Sequence, residues 1–279
     1  MTKIAIVTDS TADMALTYYD ENDVTMVPLM VRFGEEAYKD WVEMPPERFY
    51  PMLRASDILP KTSQPSVQEF IEAYSKYESY DHIFSIHLSG HLSGTIQSAD
   101  IASRNVNVPV TVVDSKLASV GTAFIVNETI KARNAGKDVA EMTALIEGLV
   151  RDTRLLFCVD TLKYLELGGR IGKAQALAGS ILNIKPILTL EDGVVVPFKK
   201  VKGRKKIFKE IVDLLSAQSA ERLSIGIIHA DAPEAARELE GHIKDAGIDY
   251  DLVLATQIGS VIGTYVGPGT FGIMYYPHG

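Results

Sequence analysis

Residues 82–95 decide the fold, and they read HIFSIHLSGHLSGT. The mostly apolar first seven residues are typical of a buried strand, and the serines, glycines and Thr95 after them are typical of a loop that opens a helix. A buried strand followed by a helix is the repeating unit of a parallel sheet covered by helices. We therefore predict an α/β fold in which this loop lies at the carboxyl end of a strand.

The same alternation occurs on both sides of this segment. Residues 3–7 form a β-branched run that leads into the polar loop TDSTAD at 8–13, and 110–113 form another apolar run. Helical spacing follows over 118–134 and 139–153. The pattern predicts βαβ units in an N-terminal domain that spans residues 1–155.

After residue 155 the sequence has clustered glycines and short predicted strands. We predict a smaller C-terminal α/β domain over 156–279, whose last strand could return to the first domain. A stretch without charged residues, 174–184, predicts a buried helix. The other elements predicted here are strands at 187–190 and 194–198 joined by a hairpin turn at 191–193, helices at 205–219 and 233–246, strands at 224–229 and 252–257, and a glycine-rich terminus.

Composition excludes several classes of protein. The 279 residues are 46% hydrophobic and carry a net charge of −8, which disfavours a fibrous chain and a general binder of nucleic acid. A lone cysteine, Cys158, forms no internal disulfide, and no apolar run approaches the roughly 20 residues that cross a bilayer. We expect a cytoplasmic protein without stable membrane insertion.

The loop after the central strand is the first candidate site. Free backbone N–H groups at a helix start, at the carboxyl end of a parallel sheet, favour an anion or a carboxylate. A capping loop in which Ser93 or Thr95 satisfies those N–H groups explains the same residues equally well.

Enzymatic alternatives use the same loop. Ser93 could act as the nucleophile of a serine hydrolase with His87 or His91 nearby, although the Gly-x-Ser-x-Gly elbow is missing. A phosphotransferase of the dihydroxyacetone-kinase type is a further alternative, but Lys173 is followed by Ala174 where a Walker motif needs a hydroxyl. The histidine spacing does not predict a metal site, and we expect no cofactor.

Four further segments have both a structural and a functional interpretation. Hydroxyls at 61–66 can cap a helix or contact a ligand, and Arg170 between glycines can be a surface group or approach an anion. The glycines of residues 259–269 either form ordinary turns or allow the backbone to approach closely. The basic run at 199–206 can be interpreted as a solvated surface or as a docking patch for an acidic partner. A third and less favoured interpretation is a regulator that binds DNA through this run.

Five of these segments together resemble the DegV family of bacterial fatty-acid-binding proteins. The matching segments, in the expected order along nearly the whole chain, are VTDST at 7–11, TSQP at 62–65, LSGT at 92–95 with Gln97 and Ser98, GGRI at 168–171, and the region 259–269. The resemblance implies a two-domain α/β protein that holds one long-chain fatty acid, palmitate or similar, between its domains. It implies a carrier that is not itself an enzyme.

The resemblance also assigns roles to residues. Thr62 and Ser93, with Gly94 and Thr95 in the same loop, would hold the carboxylate, and Arg170 would lie beside it. A separate ATP-dependent fatty acid kinase subunit would then form the acyl phosphate. Family members commonly have His where this chain has Tyr265, whose phenol can donate the same hydrogen bond but has a pKa near ~10. The uncharged stretch 174–184 would form a tunnel wall.

Overall fold

The computed structural model describes residues 2–177, 185–218 and 222–278. Its strands are β1 (Ile4–Asp9), β2 (Val24–Val27), β3 (Met30–Phe33), β4 (Glu36–Lys39), β5 (Lys61–Ser63), β6 (His82–His87), β7 (Val110–Asp114), β8 (Arg154–Cys158), β9 (Lys185–Glu191), β10 (Val194–Val201), β11 (Leu223–His229), β12 (Tyr250–Gln257) and β13 (Phe271–Pro277). Its helices are α1 (Leu16–Glu21), α2 (Pro46–Ala55), α3 (Val67–Ser75), α4 (Thr95–Ser103), α5 (Val120–Asn134), α6 (Val139–Asp152), α7 (Lys163–Leu167), α8 (Arg204–Gln218), α9 (Pro233–Asp245) and α10 (Ser260–Val266).

A four-stranded parallel sheet with the order β2-β1-β6-β7 forms the N-terminal half. Helices α3 and α4 cover its outer face, where Phe70 and Tyr74 are fully buried. The predicted α/β class with parallel βαβ units is confirmed. Because β1 and β6 are neighbours and parallel, the loops that follow them, TDSTAD and SGHLSGT, lie side by side at one edge of the sheet.

A six-stranded mixed sheet with the order β10-β9-β8-β13-β11-β12 forms the C-terminal half. The hairpin turn predicted between β9 and β10 is confirmed. The last strand, β13, lies between β8 and β11 and pairs antiparallel with both, so it belongs to this sheet. The division of the chain near residue 155 stays a prediction, and β8, the first strand of this sheet, starts there.

The two large sheets share one core around helix α5. Ten of its fifteen residues are buried, and it contacts β1 and β6 on one side and β11, β12 and β13 on the other. A helix that is apolar on several faces is expected between two sheets rather than on a surface. This arrangement brings the carboxyl ends of β1 and β6 close to the C-terminal sheet.

A small antiparallel sheet with the order β4-β3-β5 was not predicted. Pro28 separates β2 from β3, because proline cannot donate to a sheet ladder. Residues 61–63 pair with β3 as strand β5, so of the hydroxyls at 61–66 it is Ser66 that caps helix α3. This strand carries Thr62.

Two predictions are corrected. Residues 172–177 form a 3-10 helix, not part of an α-helix over 174–184, and 178–184 lie outside the described residues. The glycine-rich terminus contains helix α10 and strand β13. Among the described residues, no helix combines the length and apolarity needed to cross a membrane.

Candidate ligand-binding site

A cavity of about 340 Å³ lies where the loops after β5 and β6 meet helix α10 and the C-terminal sheet. Its interior is apolar, because strands β8 and β11 and helix α10 supply aliphatic and aromatic side chains. Residues that line the interior include Leu155, Phe157, Ile228, Val261, Ile262 and Val266. Its volume is in the range of small-molecule sites, roughly 300–1,000 Å³.

Polar side chains gather at one end of this cavity. The hydroxyls of Thr62 and Tyr265 are 2.5 Å apart and hydrogen-bonded, although the two residues are 203 positions apart in the chain. The Arg170 guanidinium lies over the Tyr265 ring, 4.7 Å from its centroid. Ser93 lines the same cavity from the loop after β6. Thus four predicted site residues, from four separate segments, share one cavity.

Arg170 sets the electrostatics of the cavity. Among the described residues that line it, Arg170 is the one charged side chain. Its Nε donates to the carbonyl of Leu92 at 3.2 Å, and its Nη1 donates to the carbonyl of Gly168 at 2.9 Å. The guanidinium is therefore held at the cavity while further N–H donors remain for a ligand. This end of the cavity favours an anion.

Gly94 explains how Thr62 and Ser93 reach the same cavity. A Cβ at position 94 would lie 2.0 Å from Oε1 of Gln64, which is closer than any Cβ contact allows. The Gln64 amide crosses this glycine and its Nε2 donates to the Ser98 hydroxyl at 2.9 Å. The Gln64 side chain can therefore lie directly on the start of α4 because residue 94 is glycine, and a larger residue there would displace the Gln64 amide.

Thr95 is placed behind the cavity rather than on it. It is fully buried, does not line the cavity, and its hydroxyl is 2.9 Å from the Ser93 hydroxyl. Ser93 Oγ also accepts from the Thr95 backbone N–H at 3.4 Å. Thr95 therefore orients Ser93, while its direct contact with a ligand stays a prediction.

Of the two histidines near Ser93, His87 is engaged elsewhere and His91 does not line the cavity. His87 is fully buried, with Nδ1 2.9 Å from Asp9 Oδ2 and Nε2 2.6 Å from the Ser85 hydroxyl. That hydroxyl is also 2.8 Å from the phenol of Tyr74. These hydrogen-bonded residues have the composition of an Asp-His-Ser triad, but none of them lines the cavity. The geometry gives no support to a hydrolase that uses Ser93 with His87 as base.

Sequence reasoning missed the residues of the cavity interior. Leu155 and Phe157 come from β8, Ile228 from β11 and Ser119 from the start of α5, and none of them belongs to a recognisable motif. Residues 174–177 were predicted to form part of a tunnel wall, and they do not line the cavity. No local pattern could have identified these positions, because each strand contributes one or two residues.

Comparison with known proteins gives a family. The sequence profile of uncharacterised proteins of the DegV family matches residues 3–278. The chain belongs to the DegV family.

Among similar proteins, two with solved structures are described by the fatty acids that they bind. A DegV domain-containing protein from Halalkalibacterium halodurans is 39% identical over 99% of each chain. The structure is similar, at a TM-score of 0.95 and 35% identity, to a Thermus thermophilus DegV protein described by its fatty acid binding, with 99% of this chain and 100% of that chain covered. A stearic-acid-binding protein from Eubacterium ventriosum is 26% identical with a TM-score of 0.88, over 99% and 98% of the two chains.

Proposed function

We propose that this protein binds one long-chain fatty acid, such as palmitate, with the acyl chain in the apolar cavity and the carboxylate at its polar end. The observation that carries the proposal is the division of one cavity into an apolar interior and an end that holds Thr62, Ser93 and a single cation, Arg170. Fatty acids have the same division. The descriptions of the Thermus and Eubacterium relatives support this class of ligand.

Burial of the acyl chain supplies most of the affinity. About 0.8 kcal/mol is gained for each buried CH₂ group, so ~15 methylenes offer on the order of 10 kcal/mol before ordering costs. An unpaired buried carboxylate would cancel much of that gain. Hydroxyl donors at the polar end are therefore required for tight binding.

The hydrogen-bond pattern leaves a donor for that carboxylate. When the Tyr265 phenol donates to Thr62 Oγ1, the Thr62 hydrogen is free to point at the ligand. Ser93 supplies a second hydroxyl, held by Thr95. The two hydroxyls donate to the carboxylate without making a full ion pair, so they hold it while leaving it available for chemistry.

Lipid extraction of the purified protein tests this proposal. We expect mass spectrometry to detect about one fatty acid per chain, and calorimetry to show palmitate binding to the delipidated protein. The absence of both a co-purified fatty acid and any binding of palmitate or oleate would contradict the proposed function.

We further propose that the protein presents its ligand to a separate kinase in the cytoplasm. In that reaction a carboxylate oxygen attacks the γ-phosphorus of ATP, the bond to the β–γ bridging oxygen breaks, and acyl phosphate and ADP form. The resemblance described above is the basis of this proposal, together with the absence of a Walker sequence around Lys173. Turnover of ATP by the isolated protein would instead favour a phosphotransferase.

The basic run at 199–206 is our candidate docking surface for that kinase. It spans the end of the edge strand β10 and the start of α8, and its lysines and arginine are exposed. Lys199 pairs with Glu210, whereas Lys200 and Lys202 have no ion pair within the part of the chain that the structure describes.

Charge reversal tests this surface. The double substitution Lys200→Glu and Lys202→Glu should leave palmitate binding unchanged and slow acyl-phosphate formation by a fatty acid kinase catalytic subunit. Lys137→Glu, on an exposed loop before α6, is the matched control. Equal rates for both variants would exclude the basic run as the docking surface.

A further inference from the structure

Two buried carboxylates hold the start of helix α10. Asp40 Oδ1 accepts hydrogen bonds from the Ser260 N–H at 2.9 Å, the Ser260 hydroxyl at 2.6 Å and the Val261 N–H at 3.4 Å. Asp13 Oδ1 accepts from the Gly259 N–H at 2.9 Å. Three successive backbone donors at this helix start are thus satisfied by acids that lie about 220 and 246 positions away in the chain. Gly259, at the N-cap position, makes no side-chain cap of its own.

Asp13 also joins α10 to two other segments. Its Oδ1 accepts from the indole N–H of Trp41 at 3.0 Å, and its Oδ2 accepts from the Ser119 hydroxyl at 2.5 Å. A Cβ at Gly259 would lie 2.3 Å from the indole nitrogen and 2.7 Å from Asp13 Oδ1, so the backbone approaches this acid as closely as a glycine allows. Ser119 itself lines the cavity.

Helix α10 has only seven residues, yet it forms a large part of the cavity. Val261, Ile262, Tyr265 and Val266 line it, and Tyr265 bonds the Thr62 hydroxyl. Such a short helix is not stable by itself and takes its position from the contacts at its ends. A shift of its start would move Tyr265 and the cavity wall together.

We propose that Asp13 and Asp40 are positioning residues for fatty-acid binding, which act by holding α10 and are linked to the ligand by proton binding. The inference rests on the proposed function. Neither acid lines the cavity, so neither contacts the ligand.

Within the part of the chain that the structure describes, no cation compensates the pair. Both carboxyl groups are fully buried; Tyr19 and Tyr50 interact with them, Asp9 interacts with Tyr19, and none of these groups is cationic. Burial, and then the negative charge of Asp40, raises the pKa of Asp13 to about 8. Burial likewise raises the pKa of Asp40 to about 6.

The hydrogen bonds indicate whether ligand binding favours the ionised or the protonated form of Asp13 and Asp40. Each acid accepts three bonds in the arrangement that forms the cavity. The bonds to Asp13 occupy both of its oxygens, whereas those to Asp40 all reach Oδ1 and leave the buried Oδ2 without a partner among the described residues. Protonation of Asp13 displaces one of its donors, and protonation of Asp40 removes the negative charge that attracts its three donors, so each weakens the hold on α10. A ligand that requires the formed cavity therefore favours ionisation of the pair, and by reciprocity it lowers the pH at which the pair titrates.

Trp41 provides a direct readout, because it is the single tryptophan of the chain and donates to Asp13. In the ligand-free protein we expect its fluorescence to titrate with a midpoint near pH 8, where the fatty acid carboxyl is already ionised. Asp13→Asn should abolish this titration, and Asp40→Asn should lower its midpoint because a neighbouring negative charge is removed.

Palmitate is the probe that tests the linkage. Saturating palmitate should lower the Trp41 midpoint by about half a pH unit, which corresponds to about threefold tighter binding to the ionised form. Asp40→Asn should weaken palmitate binding about tenfold at pH 8. The matched control is Asp138→Asn, which removes the capping carboxylate of α6, a helix that does not line the cavity, and should change the affinity by less than about twofold.

The outcomes separate this inference from the proposed function. If palmitate binds but leaves the Trp41 midpoint unchanged or raises it, the positioning role is wrong and the fatty-acid site stands. If the Asp40→Asn and Asp138→Asn variants bind palmitate equally well, the role is likewise wrong. If palmitate binds to the wild-type protein at no pH between 6 and 9, the proposed function fails, whatever the Trp41 titration shows.

Discussion

Two polar clusters lie near the carboxyl ends of β1 and β6, and they differ in what surrounds them. Asp9, His87 and Ser85 are fully buried. His87 is hydrogen-bonded to both Asp9 and Ser85, and the Ser85 hydroxyl is also hydrogen-bonded to the Tyr74 phenol. Thr62 and its neighbours Ser93, Arg170 and Tyr265 have the same kinds of polar atoms, but they face a cavity. Hydroxyl and imidazole groups near a sheet edge therefore indicate a binding site only where they remain accessible to a ligand.

The comparison predicts that the buried cluster contributes stability and the cavity cluster contributes binding. Substitutions in each cluster test that division.

Asp9→Ala should have the largest effect. Asp9 accepts from Thr11, His87 and the Leu88 N–H, so its removal leaves several buried donors without a partner. We expect the free energy of unfolding to fall by about 3–5 kcal/mol in urea titrations. A loss below about 1 kcal/mol would show that the cluster is not structural. Ser85→Ala, a milder change, should leave palmitate affinity unaltered.

A pH dependence of stability is expected from Asp13, which lies four residues after Asp9 and has no cationic partner among the described residues. Its pKa of about 8 in the folded protein exceeds the ordinary value of 3.8, so its stabilising contribution is complete below pH 4 and is lost as pH rises towards 8. We expect this group to give a slope of up to about 1.4 kcal/mol per pH unit. Chemical unfolding of Asp13→Asn should lack this slope, and parallel pH profiles for both proteins would contradict the prediction.

Thr62→Ala and Ser93→Ala should each weaken palmitate binding by about 1–3 kcal/mol, because each removes a donor to a charged acceptor. Their thermal midpoints should stay close to that of the wild type. Calorimetric titration is the measurement, and Ser103→Ala, whose hydroxyl bonds a helix carbonyl away from the cavity, is the control. If both variants bind like the wild type, the carboxylate is not held at these residues.

Tyr265→Phe should have the smallest effect. The variant keeps the ring under Arg170 and loses the bond to Thr62, so we expect palmitate affinity to fall by about 0.5–1.5 kcal/mol. Tyr265→His restores the residue that the resemblance leads us to expect and should make affinity depend on pH near ~6.5. A pH-independent affinity for the His variant would show that this position lies too far from the ligand.

Much of the fold could be predicted from local pattern. The strand at 82–87 and the helices over 120–134 and 139–152 follow from apolar spacing and flanking loop residues, which are short-range signals. The sheet β4-β3-β5 and the helix α10 could not, because short strands and a glycine-rich helix look like loops until their distant partners are known.

The candidate site shows the same limit. Thr62 and Ser93 were identified as hydroxyl donors, but their approach depends on Gln64 crossing Gly94, a contact between two loops. The residues of the cavity interior and the acids Asp13 and Asp40 could not be predicted from the sequence, because their roles arise from tertiary contacts. Motifs thus indicate which atoms can bind, whereas packing decides which of them reach the cavity.

A crystal structure with 16-bromohexadecanoic acid would test the proposed function most directly. Anomalous scattering locates the bromine at one end of the ligand, and the carboxylate marks the other. We predict that the bromine lies in the apolar interior and that the carboxylate oxygens lie within hydrogen-bonding distance of Thr62 and Ser93. A carboxylate placed away from both residues, or a cavity without the ligand, would contradict it.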